Sequence, residues 1–240
     1  MPAAIWYAVT INTVTLVTSP VKLFCWLFFW TAEDPYTIIE TVKNLDLLKT
    51  GTKPAPGELA LVQGLVNTVD REAGTDEIGT RLSLKAWLVR HGLLRSSETV
   101  SKEDHRTVLS FREAVKQLLL ANNGEKTRPA SLKKLHRLVS RFPLGVAFRT
   151  DGTFYLAPAG QGVSRALGQM LAQMVRAVGD GTWSRLKACR DSSCQWAFYD
   201  NSKNQSGRWC SMSVCGSRDK ARAYRKRRSG RARKRAAPQG

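Results

Sequence analysis

Four cysteines near the C-terminal end hold the densest chemistry in this sequence. Cys189, Cys194, Cys210 and Cys215 form two pairs, with four residues inside each pair and fifteen between them. Two close thiolate pairs at matched spacing are what a tetrahedral structural Zn2+ needs. A disulfide reading would require an oxidising compartment, and nothing after residue 57 points to export. The fifth cysteine, Cys25, stands alone and reads as a small apolar side chain. A basic run follows the second pair at once: Arg218, Lys220, Arg222, Arg225, Lys226, Arg227, Arg228, Arg231, Arg233, Lys234 and Arg235. Clustered Lys and Arg beside such a site attract a polyphosphate backbone.

The charge is local rather than diffuse. The 240-residue chain carries a net charge of +19, and Arg185–Gly240 holds sixteen basic residues against three acidic ones, an excess of 13. A concentrated surplus implies an anionic partner, whereas an even one would imply only solubility. Arg218, Arg222, Arg225 and Arg228 or Lys226 recur at three and four residues, so they share one helical face. That face suits a major groove or a line of phosphates, with Arg the best reader of guanine edges. The run beyond Ser229 is expected to be a disordered arm making non-specific contacts. The blander reading is a solvated tail, and its place directly after a metal site favours nucleic acid.

The elements that must carry this head are mostly helical. Thr50–Gly57 is a breaker-rich linker. An apolar face at Leu59, Leu61, Val62, Leu65, Val66 and Val69 marks a helix, and Asp70–Thr80 reads as loop. Ser83 is the expected N-cap of a short helix with Leu84, Trp87 and Leu88 inward, ending near Gly92. Ser101 begins a longer helix with Glu103 and Asp104 in its first turn, and Asn123-Gly124 ends it. Pro129 fits the first turn of the next helix, which Pro143 stops. The period then changes to two: Leu144–Thr150 and Thr153–Ala157 around Asp151-Gly152 predict a hairpin on a two-residue turn. Val163 to Val178 returns to helical spacing. The expected fold class is mainly α (α+β), a helical domain with one β-hairpin plus a small C-terminal zinc module.

Within that module Gln195–Asp200 reads as a strand, Asn201–Gly207 as a polar turn, and the chain from about Ser211 as helix. About fifty residues bury little apolar area, so the metal is expected to supply folding energy. Trp196, Phe198, Trp209 and Tyr224 are the candidates for a minimal core; base stacking by Trp196 or Tyr199 is the sharper alternative.

Here the sequence resembles a known family. Cys-Arg-Asp-Ser-Ser-Cys-Gln-Trp-Ala-Phe-Tyr-Asp (189–200) and Gly-Arg-Trp-Cys-Ser-Met-Ser-Val-Cys-Gly-Ser-Arg (207–218) are similar to the CGNR zinc finger. Glu58 to Leu94, with Leu65-Val66-Asn67-Thr68-Val69-Asp70 and Leu84-Lys85-Ala86-Trp87-Leu88, resembles the ABATE domain that precedes that finger. The resemblance covers about residues 58–228. It implies a bacterial, stress-linked transcription regulator that is cytoplasmic and associated with the nucleoid. In it the finger binds double-stranded DNA and the N-terminal domain senses a small-molecule effector. It also implies Cys189, Cys194, Cys210 and Cys215 as the zinc ligands, with Gly216 and Arg218 completing the motif. Ser217 stands where the family has Asn, which changes any contact made by that amide and leaves the metal untouched.

The expected domains are 1–57, an apolar extension and linker; 58–182, the helical domain; 183–228, the finger; and 229–240, the basic tail. Expected nucleic-acid contacts are Arg208, Ser217, Arg218, Lys220, Arg222, Arg225, Lys226, Arg227 and Arg228. Ile5–Trp30 is long and apolar enough to cross a bilayer. Pro20 and Lys22 lie inside it and no basic residue precedes it, so an extension or buried hairpin is favoured over an anchor. His91, His105 and His136 match no ligand spacing. No zinc-protease helix, phosphate-binding glycine loop, dinucleotide fingerprint or nucleophile elbow is present, and no enzyme is expected. Two alternatives stay open: an RNA- or ribosome-associated structural zinc protein, and a redox sensor whose zinc loss releases DNA.

Overall fold

The computed structural model describes residues 52, 54–127 and 129–236, the last seven by backbone only. The expectations for the apolar stretch Ile5–Trp30 and for Cys25 lie outside the described residues. Among the described residues no helix is long and apolar enough to cross a membrane.

The fold is organised around α1 (Leu59–Asn67), every residue of which is buried. A helix apolar on most sides belongs in a core, and α1 lies against α3 (Lys102–Asn122) and α5 (Gly162–Gly179). α2 (Arg81–Arg90) and α4 (Pro129–Val139) pack on α3. Trp87, Phe111, Leu65, Leu84, Leu119 and Leu167 are among the fully buried side chains that fill the space between them.

Three two-stranded antiparallel sheets complete the structure. β1 (Val69–Asp70) and β2 (Thr75–Asp76) form a short hairpin where the sequence predicts loop. It is held because buried Arg112 on α3 donates two hydrogen bonds of 2.7 Å to the Asp76 carboxylate and one of 3.0 Å to Thr68. β3 (Leu144–Phe148) and β4 (Phe154–Pro158) form the predicted hairpin, and β4 packs on α5. Its turn is longer than expected. The Arg149 amide still donates to the Thr153 carbonyl at 2.7 Å, which leaves Thr150–Gly152 as a three-residue loop. Gly152 takes φ +83°, the left-handed position that such a loop requires.

Two cap expectations resolve differently. Ser101 caps α3 as predicted, in a reciprocal box with Asp104. The N-cap of α2 is Thr80 rather than Ser83; Ser83 is the third helical residue and returns the bond to the Thr80 amide. A hydroxyl at either position satisfies one free amide, so the sequence pattern alone does not order the two.

The C-terminal part contains β5 (Leu186–Ala188), β6 (Ala197–Tyr199), a π-helical turn at Met212–Gly216, and α6 (Ser217–Ala236). A 3-10 turn at Trp183–Arg185 joins it to α5. The helix continues through residues expected to form a loose arm from Ser229. Arg, Lys and Ala are good helix formers, and Gly230 is the one strong breaker before Ala236.

Candidate metal centre

The finger is built outward from the helical core. β5 lies along α3 and β6 against α1, so Leu186, Ala188 and Ala197 are fully buried in one apolar cluster with the helices. Apolar burial against the helices therefore adds to the folding energy expected from a metal. Its two strands are anchored in the same buried cluster as α1, α3 and α5.

The strand pair sets the first cysteine pair. Beyond the Ala188–Ala197 register the ladder continues through the Cys189 amide, which donates to the Trp196 carbonyl at 2.9 Å. Between Cys189 and Cys194 the chain turns around Asp191, whose carbonyl accepts both the Cys194 and the Gln195 amides at 2.9 Å. Gln195 adopts φ +53°, the left-handed turn that aims Cys194 back at Cys189. The second pair comes from Trp209-Cys210 and the π-helical turn. Ser211 caps that turn by accepting the Val214 amide at 3.3 Å. A side chain on Gly216 would meet the Met212 sulfur and, at 3.2 Å, the Trp209 ring, so glycine lets these two side chains close over the turn.

All four sulfurs converge. Every pair of Sγ atoms lies within 4.8 Å; Cys194–Cys210 is 3.6 Å and Cys210–Cys215 is 3.8 Å. Four thiolates around an ion at about 2.3 Å are separated by roughly 3.8 Å along each edge of the tetrahedron. All four cysteines are free thiols; Cys189, Cys194 and Cys215 are buried and Cys210 half-buried. Backbone amides of Asp191 and Cys210 donate to the Cys189 sulfur, and that of Trp196 donates to Cys194. Trp196 and Trp209 close the apolar surround.

The electrostatics call for a cation. Hydrogen bonds from Cys194 and Cys210 pull Cys189 down to about 3. Hydrogen bonding to Cys189 then pushes Cys194 and Cys210 up, while burial and the charges on Cys189 and Cys194 push Cys215 up to about 12. Four thiolates this close repel one another, and a bound cation is what would let them ionise together. Both the spacing and the donor set fit a metal.

A profile of the CGNR zinc finger matches residues 185–228. A profile of ABATE, described as "Putative stress-induced transcription regulator", matches residues 59–181, just over half of the 240 residues. The chain belongs to the ABATE family. A search among curated proteins finds no match.

The CGNR finger places its candidate nucleic-acid residues in two groups. Arg218 pairs with Glu72 of the β1–β2 turn. Arg222 donates to Asp191 at 3.3 Å and lies 3.7 Å from Asp219. The arginine face expected to read bases is thus partly turned onto the protein's own carboxylates. Lys220, Arg225, Lys226, Arg227 and Arg228 are exposed and meet no carboxylate among the described residues. Lys220, Tyr224, Arg227 and Arg228 follow one another at helical spacing and form the outward stripe. Tyr224, a candidate for the finger's core, is 59% exposed on it. Trp196 and Phe198 are buried as core, and Tyr199, the other stacking candidate beside Trp196, is half-buried against the helical cluster. Ser217 sits at the start of α6 with its hydroxyl 3.4 Å from the Met212 carbonyl. Arg208 is exposed, two residues before Cys210.

Several residues that hold the finger together were not singled out by sequence. The Lys187–Asp200 pair is buried at 2.7 Å, and Lys187 also reaches the Gln205 and Gly207 carbonyls. The 200–207 loop wraps this pair so closely that a side chain on Gly207 would meet the Asp200 carboxyl at 2.9 Å. Asn123 donates to the Ala188 and Arg208 carbonyls at 2.7 and 2.9 Å, and its own carbonyl accepts from Arg190 at 2.7 Å. A strand with alternating Leu-Lys-Ala gives a signal for Lys187 only once its outward side is known to be covered.

Proposed function

We propose that the protein is a non-enzymatic transcription regulator in which Cys189, Cys194, Cys210 and Cys215 bind one Zn2+ and α6 binds double-stranded DNA. The observation that carries this reading is the junction of the two parts. The turn that delivers Cys215 runs directly into α6, so a closed metal site would fix the direction in which the helix leaves. Zinc in a four-thiolate site supplies folding energy and no open position for chemistry. The outward stripe of Lys220, Tyr224, Arg227 and Arg228 then faces the polyanion, while Arg218 and Arg222 hold the helix to the body.

The test pairs metal quantitation with salt-dependent binding. One zinc per chain is expected, lost in Cys210→Ser. Six neutralised phosphates give a slope of log affinity against log salt of about −5. A slope near zero would remove DNA binding from the reading. Equal or tighter binding of structured RNA at the same salt would move the partner class to RNA. A cytoplasmic, nucleoid-associated location follows from the same reading.

Sensing belongs to the helical domain. A recess of about 310 Å³ lies between the start of α1 and the end of α5, with Glu58, Gln173, Arg176 and Asp180 on its walls. Its size and mixed lining suit a small polar effector. Thermal-shift screening against small charged metabolites, repeated on Gln173→Leu, tests it.

A further inference from the structure

The nucleic-acid surface proposed for the finger leaves one basic region of the chain unused. Residues 125–151 hold seven Lys and Arg against Glu125 and Asp151, an excess of five. Together with the C-terminal excess of 13, they account for eighteen of the nineteen net charges. The rest of the chain is close to neutral. This second concentration centres on α4, where Lys133, Lys134, His136 and Arg137 are all exposed. Lys126, Lys133, Lys134 and Arg137 meet no carboxylate among the described residues, and α4 itself carries no acidic residue. A face kept free of counter-charges is the kind that neutralises an external polyanion.

The fold joins this face to the finger. Asn123, at the end of α3, bonds to the Ala188 and Arg208 carbonyls and receives the Arg190 guanidinium. The Arg190 guanidinium also lies against Gly124. The loop that leads into α4, with exposed Lys126, therefore starts from the finger's own surface beside Arg190 and exposed Arg208. From there α4 extends its eleven residues, about 16 Å of helix.

We propose that Arg190, Arg208, Lys126 and the exposed face of α4 form a phosphate-binding track that carries the nucleic acid from the finger onto the ABATE domain. The inference rests on the proposed function and assigns part of the affinity to the domain otherwise read as the sensor. It also gives that domain a direct route to control of binding, because ordering or shifting α4 changes the number of phosphates neutralised. The competing occupant is an anionic membrane surface, since Leu132 is exposed on the same helix beside Lys133, His136 and Arg137.

The test compares the zinc-loaded full-length protein with two triple variants, using a random-sequence duplex of about 25 base pairs in fluorescence anisotropy. Lys133→Gln/Lys134→Gln/Arg137→Gln is expected to lower affinity roughly tenfold at physiological salt and to flatten the salt slope by about 2.7. Lys133→Arg/Lys134→Arg/Arg137→Lys keeps the charge and is expected to bind as the wild type does. Unchanged affinity and slope in the Gln variant, with wild-type protein binding the duplex, overturns the track and leaves the finger reading intact. An equal loss in the charge-conserving variant also overturns it, because the effect would then be structural. Binding to phosphatidylserine vesicles that disappears in the Gln variant while duplex binding is unchanged assigns the face to membranes instead. A wild-type protein that binds no duplex removes the proposed function, and the track with it. The finger variant Lys220→Gln/Arg227→Gln/Arg228→Gln separates the two failures, since it reports on α6 alone.

Discussion

Asn67 of α1 grips both backbone groups of Ala197 on β6, accepting its N–H at 2.7 Å and donating to its carbonyl at 3.0 Å. Gln63, one turn earlier, donates to the same carbonyl at 3.3 Å. One buried amide thus acts as an extra strand edge for the finger, inside the helical domain. Asn67→Ala leaves the Ala197 N–H buried without its partner and its carbonyl with Gln63 alone. Each such loss costs about 1–3 kcal/mol. The melting temperature at saturating zinc is expected to fall by roughly 5–12 °C. An unchanged melt would mean that the joint carries no load.

Removal of the metal is expected to release the chain in halves. β5 and β6 are held by the helical core, whereas Cys210, the π-helical turn and α6 are held by the cysteine cluster and by the Arg218–Glu72 and Arg222–Asp191 pairs. Chelation should therefore collapse hydrogen-exchange protection from about residue 208 onward. The amides of Leu186–Ala188 and Ala197–Tyr199 should stay protected. Simultaneous loss in both halves would show that the strands need the ion after all.

The Lys187–Asp200 pair makes stability acid-sensitive. Burial alone would raise the Asp200 carboxyl, but hydrogen bonds from Lys187, Ser202 and Gly207 hold it at about 2. A depressed carboxylate contributes its full stability above the ordinary value of about 3.9 and loses it as pH falls through the folded value. The gap in unfolding free energy between wild type and Asp200→Asn should be widest near neutrality and close between about pH 4 and pH 2. Lys187→Met, which strands the carboxylate, is expected to cost about 3–5 kcal/mol at pH 7 in denaturant titrations.

Glu72 competes for the arginine of the finger's motif. Glu72→Gln removes the charge that holds Arg218 and makes that guanidinium available to phosphate. Duplex affinity should rise severalfold at low salt, and the slope against log salt should steepen by about one. Arg218→Ala in the Glu72→Gln background should abolish that gain. If Glu72→Gln binds no better than wild type, the pair is a structural strut only.

How much of this was legible beforehand depended on the range of the interaction. The cysteine spacing, the change of period at Leu144 and the Ser101 cap are local patterns, and each has its expected counterpart in the structure. The cap at Thr80 differs because hydroxyls at 80 and 83 satisfy the local rule equally well, and the three-residue turn because Arg149 and Thr153 stay paired with Gly152 left-handed. Hydrophobicity alone favours Tyr224 for the core, but its place on the outer face of α6 leaves it in solvent.

By itself the sequence determined the composition of the metal site and where the positive charge lies, because ligand type and charge density are properties of residues in order. The tertiary structure decided which arginines are free. Glu72 and Asp191 reach Arg218 and Arg222 only after a hairpin 146 residues away and the first cysteine turn are packed beside α6. It also decided that the finger is part of the helical core rather than an appendage, since Asn67 and Asn123 meet backbone atoms 130 and 65 residues further along the chain. Such contacts depend on burial and direction in space, and no periodicity along the chain encodes them.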